Sequence, residues 1–121
     1  MSFYTSTQTT TQIAQTVPNL TGGTDGKIVR ISASNTCVDA SNLNTSAQLN
    51  AILVKMGGVY YSSGYVEGFT GLIPGASYFL DTAGDVTATP PTPTASVRVL
   101  YVGYAVNSTA LVFRPSIPIS G

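Results

Sequence analysis

The apolar positions of this 121-residue chain fall into short runs rich in β-branched and aromatic residues, each bounded by Gly, Pro, Asn or Asp. Ile28 to Ala33 is the first clear run, entered through the Thr24-Asp25-Gly26-Lys27 turn and left through Ser34-Asn35-Thr36. Cys37 to Ala40 reads as a short strand. Val59-Tyr60-Tyr61 and Tyr65 to Phe69 read as the arms of a hairpin looped at Ser62-Ser63-Gly64. In Gly71 to Asp81, Pro74-Gly75 suits a type II turn, because Gly alone takes φ > 0 at the third position without strain. Tyr78-Phe79-Leu80 then predicts a strand, joined through a tight connection at Gly84-Asp85 to another that starts at Val86. Val97 to Val106 is apolar on both faces apart from Arg98 and Gly103, which predicts a strand covered on both sides. Asn107-Ser108-Thr109 turns it into Ala110 to Arg114.

Two regions resist this pattern. Thr45-Ser46-Ala47-Gln48 has the form of a capping box, and Leu49, Ile52, Leu53 and Met56 follow at helical spacing up to Gly57. Yet Ile52 to Met56 is equally acceptable as a strand. Thr87 to Thr94 is rich in Thr and Pro and must be extended, because Pro lacks a backbone donor and restrains the residue before it. The periodicities together predict an all-β protein, a small antiparallel β-barrel or sandwich, in three parts: an extended N-terminal arm over 1–24, a β-barrel domain over 25–115 and a C-terminal tail over 116–121. The arm carries Phe3, Tyr4, Ile13, Val17 and Leu20 among Thr, Ser and Gln, and suits strand addition to a neighbouring chain.

Charge changes the picture. Charged residues make up 8% of the chain, five Lys/Arg and five Asp/Glu, against about a quarter in an average domain. Clustered Lys/Arg needed to hold a phosphate backbone are missing, so nucleic acid is not an expected partner. A surface this poor in charge does little to keep copies apart, which favours a protein whose surface is covered in an assembly. The single cysteine, Cys37, allows no internal disulfide. The N-terminus has neither a basic n-region nor an apolar h-region, and no apolar run reaches membrane-spanning length, so neither a signal peptide nor a membrane partner is expected.

Catalytic chemistry is hard to assemble. Without histidine, a nucleophilic Ser would have only Lys27 or Lys55 as base. Gly22 to Lys27 echoes a phosphate-binding loop in composition but lacks the Gly-x4-Gly-Lys-Ser/Thr spacing. Asp81 and Asp85 flank one turn, too few acids for a calcium loop. Asn19, Asn44 and Asn107 open glycosylation tripeptides, which mean little without a secretory signal. No enzyme activity, cofactor or metal is expected.

The order Gly-Leu-x-Pro-Gly-Ala-x-Tyr-Phe-Leu-Asp from Gly71, then Gly-Asp-Val-Thr-x-Thr-Pro-Pro-Thr from Gly84, then Val97 to Phe113, resembles a small β-rich domain of tailed-phage virion proteins. That domain recurs in capsid decoration (cement) proteins and in tail-fibre modules. The resemblance implies a short helical turn within Asn42 to Gln48 and a strand over Ala51 to Met56. It further implies a cement protein on the outside of a phage head, made in the host cytoplasm, bridging neighbouring copies of the major capsid protein and associating with itself, as a homotrimer rather than a dimer. Expected contacts are Phe3, Tyr4, Ile13 and Val17 of the arm, the cluster Tyr60, Tyr61 and Tyr65, and Tyr101 and Tyr104. The rival readings are a tail-fibre or spike module whose tyrosines stack on a host glycan, and a baseplate or neck adaptor.

Overall fold

The computed structural model describes residues 13–120. They form an all-β protein whose twelve strands are short and whose only helical pieces are two three-residue 3-10 turns. The strands are β1 (Gln15–Thr16), β2 (Thr21–Gly22), β3 (Lys27–Ala33), β4 (Thr36–Asp39), β5 (Ile52–Met56), β6 (Val59–Glu67), β7 (Ser77–Leu80), β8 (Val86–Thr87), β9 (Arg98–Val99), β10 (Tyr101–Ala105), β11 (Ala110–Phe113) and β12 (Ile119–Ser120). Ten of them make one sheet in the order β2-β4-β3-β5-β6-β11-β10-β7-β8, with β1 added beside β6; β9 and β12 form a separate pair.

The expected antiparallel barrel needs correction on two points. β2 pairs with β4 in parallel, so the sheet is mixed. Nor does the ladder close, since the ten-strand order is open at both ends. The sheet curls instead, until the 3-10 turn Thr82–Gly84 rests on β3. A side chain at Gly84 would lie 2.7 Å from the Ile28 carbonyl, Lys27 pairs with Asp85, and the Asn42 amide donates to the Asp81 carbonyl at 3.2 Å. Side chains and loops close the seam where strands do not.

Inside the curl lies the main core, in which Ile28, Val54, Leu80, Leu100, Leu111 and Phe113 are fully buried. Val29, Cys37, Leu53 and Tyr60 face the other way and form a smaller cluster, covered by Val17 and Leu20. A strand that serves both clusters must be apolar on both faces, and β3 and β5 are.

Local chemistry explains most turns. Gly57 and Gly58 have φ of 60° and 80°, a two-residue type I′ connection between Met56 and Val59. At Pro74-Gly75 the Ala76 amide donates to the Ile73 carbonyl at 3.0 Å and Gly75 has φ 82°, the expected type II turn. The capping box is made as well: the Thr45 amide donates to Gln48 Oε1 at 2.8 Å and the Gln48 amide to Thr45 Oγ1 at 3.2 Å. It caps one 3-10 turn, Gln48–Asn50, and then β5 begins. A longer helix would leave β3 and β6 without the strand that pairs with both.

The hairpin expected at Ser62-Ser63-Gly64 does not exist, because β6 runs unbroken for nine residues. Gly64, φ 97°, is a kink in it rather than a turn. Tyr61 and Val66 pack on the same core although five positions apart, so the side-chain alternation slips once between them. β10 repeats the device: Val102 and Ala105 both face the core, and the slip falls at Gly103, φ 151°, beside a register shift against β7.

Candidate interaction surface

Beyond Phe113, the chain stays antiparallel to its partner. The Arg114 amide donates to the Val102 carbonyl at 2.8 Å, the Ser116 amide to the Tyr101 carbonyl at 2.9 Å, and Ile119 pairs with Val99. The C-terminal stretch read as a tail is therefore partly strand. Its side chains leave Ile117 83% and Ile119 61% exposed.

These isoleucines adjoin an aromatic face. Leu100 points into the core, so its neighbours Val99 and Tyr101 point out. Tyr101 sits opposite Phe79 of β7, and the rings meet edge to face with centroids 6.0 Å apart. Next to this pair runs a cross-strand row in which Tyr65 faces Val112, Val112 faces Tyr104, and Tyr104 faces Ser77. Val112 is fully buried between two tyrosines that keep part of their rings in solvent. The outer face of β6, β11, β10 and β7 thus presents Tyr65, Tyr104, Tyr101 and Phe79, and in the neighbouring β9–β12 pair Val99 lies opposite the exposed Ile119, two residues after the exposed Ile117.

The expected contact residues separate into several environments. Phe3 and Tyr4 lie outside the described residues. Ile13 is half exposed, with its carbonyl against Gly64. Val17 is half-buried, packed on the smaller cluster of its own domain. Tyr60 requires correction as a contact residue: it is 5% exposed, and its hydroxyl donates to the Gly22 carbonyl at 2.6 Å. Lys55 Nζ lies 5.3 Å from the centre of the same ring. Tyr61 is half-buried against the main core. The run Tyr60-Tyr61-Tyr65 therefore forms no single surface, because β6 alternates and then slips. Tyr65, Tyr101 and Tyr104 do come together, through strand pairing. Phe79, Ile117 and Ile119 belong with them, and the alternation Ile117-Pro118-Ile119 was the sequence signal for the last two.

The arm, in its described part, lies on its own domain. Gln15 pairs with Ser63 and Thr16 with Tyr61, while Thr21 and Gly22 pair with Thr36 and Cys37. Asp39 fixes its base by accepting from the Thr24 amide and hydroxyl, both at 2.8 Å. Burial pushes the Cys37 thiol above its ordinary pKa, an effect partly offset by Lys55.

At the seam a polar cleft of about 580 Å³ opens between Asp25, Lys27, Phe69, Thr70, Asp81 and Thr87. Its acids are divided among separate tasks. Asp25 accepts from the Gly58 amide at 3.0 Å, Asp81 from the Thr82 amide at 2.8 Å, and Asp85 pairs with Lys27. Among the described residues no three His, Cys, Asp or Glu converge on a metal position. No helix among them is long and apolar enough to cross a membrane.

These features define an all-β domain with an apolar, aromatic outer face. Compared with protein-family models, curated proteins and solved structures, the chain matches none of them.

Proposed function

We propose that the protein is a structural component of a tailed-phage virion, a decoration protein that binds the outside of the head and bridges neighbouring capsid subunits. One observation carries the reading: the outer face that joins Tyr65, Tyr104, Tyr101 and Phe79 to the exposed Ile117 and Ile119. Contiguous apolar surface with aromatic anchors is the usual make-up of a contact site. The virion class rests on the resemblance carried by Gly71 to Phe113. Its partners are the major capsid protein and further copies of the chain as a homotrimer, with no part for nucleic acid or membrane. The action is adhesive and non-catalytic, and needs no cofactor. A ligand that binds the assembled shell in preference to a loosened one stabilises it by mass action.

Co-sedimentation with undecorated shells tests this. The wild-type protein should saturate the shells, and Tyr104→Ser combined with Ile117→Ser should weaken binding at least tenfold while the circular dichroism is kept. Absence of wild-type binding contradicts the reading.

The cleft favours a second reading, a tail-fibre or spike module for a host glycan. Carboxylates and threonine hydroxyls around a space of about 580 Å³ suit sugar hydroxyls, and the volume lies within the usual range for ligand sites. Retention on a glycan array, lost in Asp81→Asn, would favour it over the shell.

A further inference from the structure

We infer that residues 13–20 form an exchangeable strand, so that the slot they occupy beside β6 also accepts the same segment from a second copy of this chain. The slot exists because β11 and β6 part company. β11 pairs with β6 only from Glu67 to Gly64, and beyond Phe113 the chain follows β10 instead. The first half of β6 is left with backbone groups free on that side, and β1 fills them: Gln15 faces Ser63, Thr16 faces Tyr61, and the Val17 amide donates to the Tyr60 carbonyl at 2.9 Å. Whatever fits there in one chain fits there from another, since the contacts are the same and only the connection differs.

Five features make the segment the part that exchanges. β1 is two residues long, exposed, and irregular in register against β6. Val17 and Leu20 are the side chains it packs on the apolar cluster of Val29, Cys37, Leu53 and Tyr60. A gap of about 230 Å³ remains between the segment and Gly58, Val59 and Tyr60. Beyond the segment the chain is pinned, at Gly22 by the Tyr60 hydroxyl, at Gly23 by Lys55 and at Thr24 by Asp39. Ahead of that anchor, at the end of the weak seat, Asn19 has a positive φ of 67°. Residues that tolerate this region switch readily to extended backbone, which is what a hinge requires. Opening exposes an apolar cluster and a strand edge, and a second copy of the segment satisfies both at once.

Disulfide trapping tests the exchange. Gln15 and Ser63 are directly paired across the ladder, within reach of a disulfide, and neither belongs to a core cluster. In a Cys37→Ala background, a chain carrying Gln15→Cys is mixed with a mass-tagged chain carrying Ser63→Cys and oxidised. A third chain carrying both substitutions reports closure within one molecule. The expected result is a covalent heterodimer whose yield rises with protein concentration, beside closure of the double variant that does not depend on concentration. A double variant that closes efficiently while the mixture stays monomeric at every concentration overturns the exchange. Failure of the double variant to close overturns the seat itself. Equal yield when Ser63→Cys is replaced by Ser108→Cys, in the remote β10–β11 turn, reduces the trapping to random collision and also overturns it. Because no shell enters the assay, the capsid reading stands or falls separately.

Discussion

Gly103 shows how much of this fold rests on single residues. Its φ is 151°, and a β-carbon added there would lie 1.9 Å from the Val112 carbonyl oxygen, a backbone atom unable to move aside. Gly103→Ala should therefore cost about 3 kcal/mol or more in chemical denaturation, within the range for strained or overpacked sites. Gly71 is the natural comparison, with φ 69° but open space around it, and Gly71→Ala should cost only about 1 kcal/mol, from backbone strain alone. Cys37 gives a second prediction at this scale. The folded thiol has its pKa raised above the ordinary 9.0, so the unfolded chain ionises first and the fold loses stability as pH rises past that value. Stability measured between neutral pH and pH about 10 should fall less steeply in Cys37→Ala than in the wild type. For the same reason Cys37 should react with iodoacetamide far more slowly than free cysteine near neutral pH, and removing Val17 and Leu20 side chains should restore the rate.

At the scale of elements, the weakest attachment is the segment carrying β1. Tyr60→Phe removes the hydroxyl that holds the Gly22 carbonyl and should cost about 1 kcal/mol, the usual size of one such bond. Amide exchange should then speed up at Val17 and Thr21, while Val54 and Leu111 in the central strands stay protected. The elements were legible in the sequence wherever the signal was local. Pro74-Gly75 and Asp25-Gly26 fold as turns and Asn107-Ser108-Thr109 as the bend between β10 and β11, because such chemistry depends on a few adjacent residues. The strand from Ile52 was harder to read, since a genuine capping box preceded it and only pairing with β3 and β6 limits the helical turn. Gly64 deceived in the opposite sense. Ser62-Ser63-Gly64 has turn composition, yet it lies inside β6, where β1 and β11 supply partners that no local pattern announces. The interaction face was legible in part. Tyr101 and Tyr104 fell within a run already marked as contact, whereas the position of Tyr65 beside Val112 depends on register, and the slips at Gly64 and Gly103 reassign which tyrosines face out.

For the whole molecule, the open curl and its outer face set the behaviour. Its seam relies on a single ion pair among the described residues, Lys27 with Asp85, both side chains partly in solvent. Such a pair contributes little, so Lys27→Met should lower stability by less than about 1 kcal/mol, and salt should have little effect on unfolding. Deleting residues 2–20 exposes Val29, Leu53 and Tyr60 along with the edge of β6, yet leaves the main core untouched. The shortened chain should keep its β circular dichroism and, with that cluster and edge exposed, self-associate more readily. The central claim is that the protein coats a phage head, and it is tested most directly by counting copies in purified virions by quantitative mass spectrometry against the major capsid protein. A ratio near one copy per capsid subunit, or one trimer per local symmetry position, is the predicted result. A few copies per particle, the stoichiometry of a fibre, neck or baseplate, would contradict it.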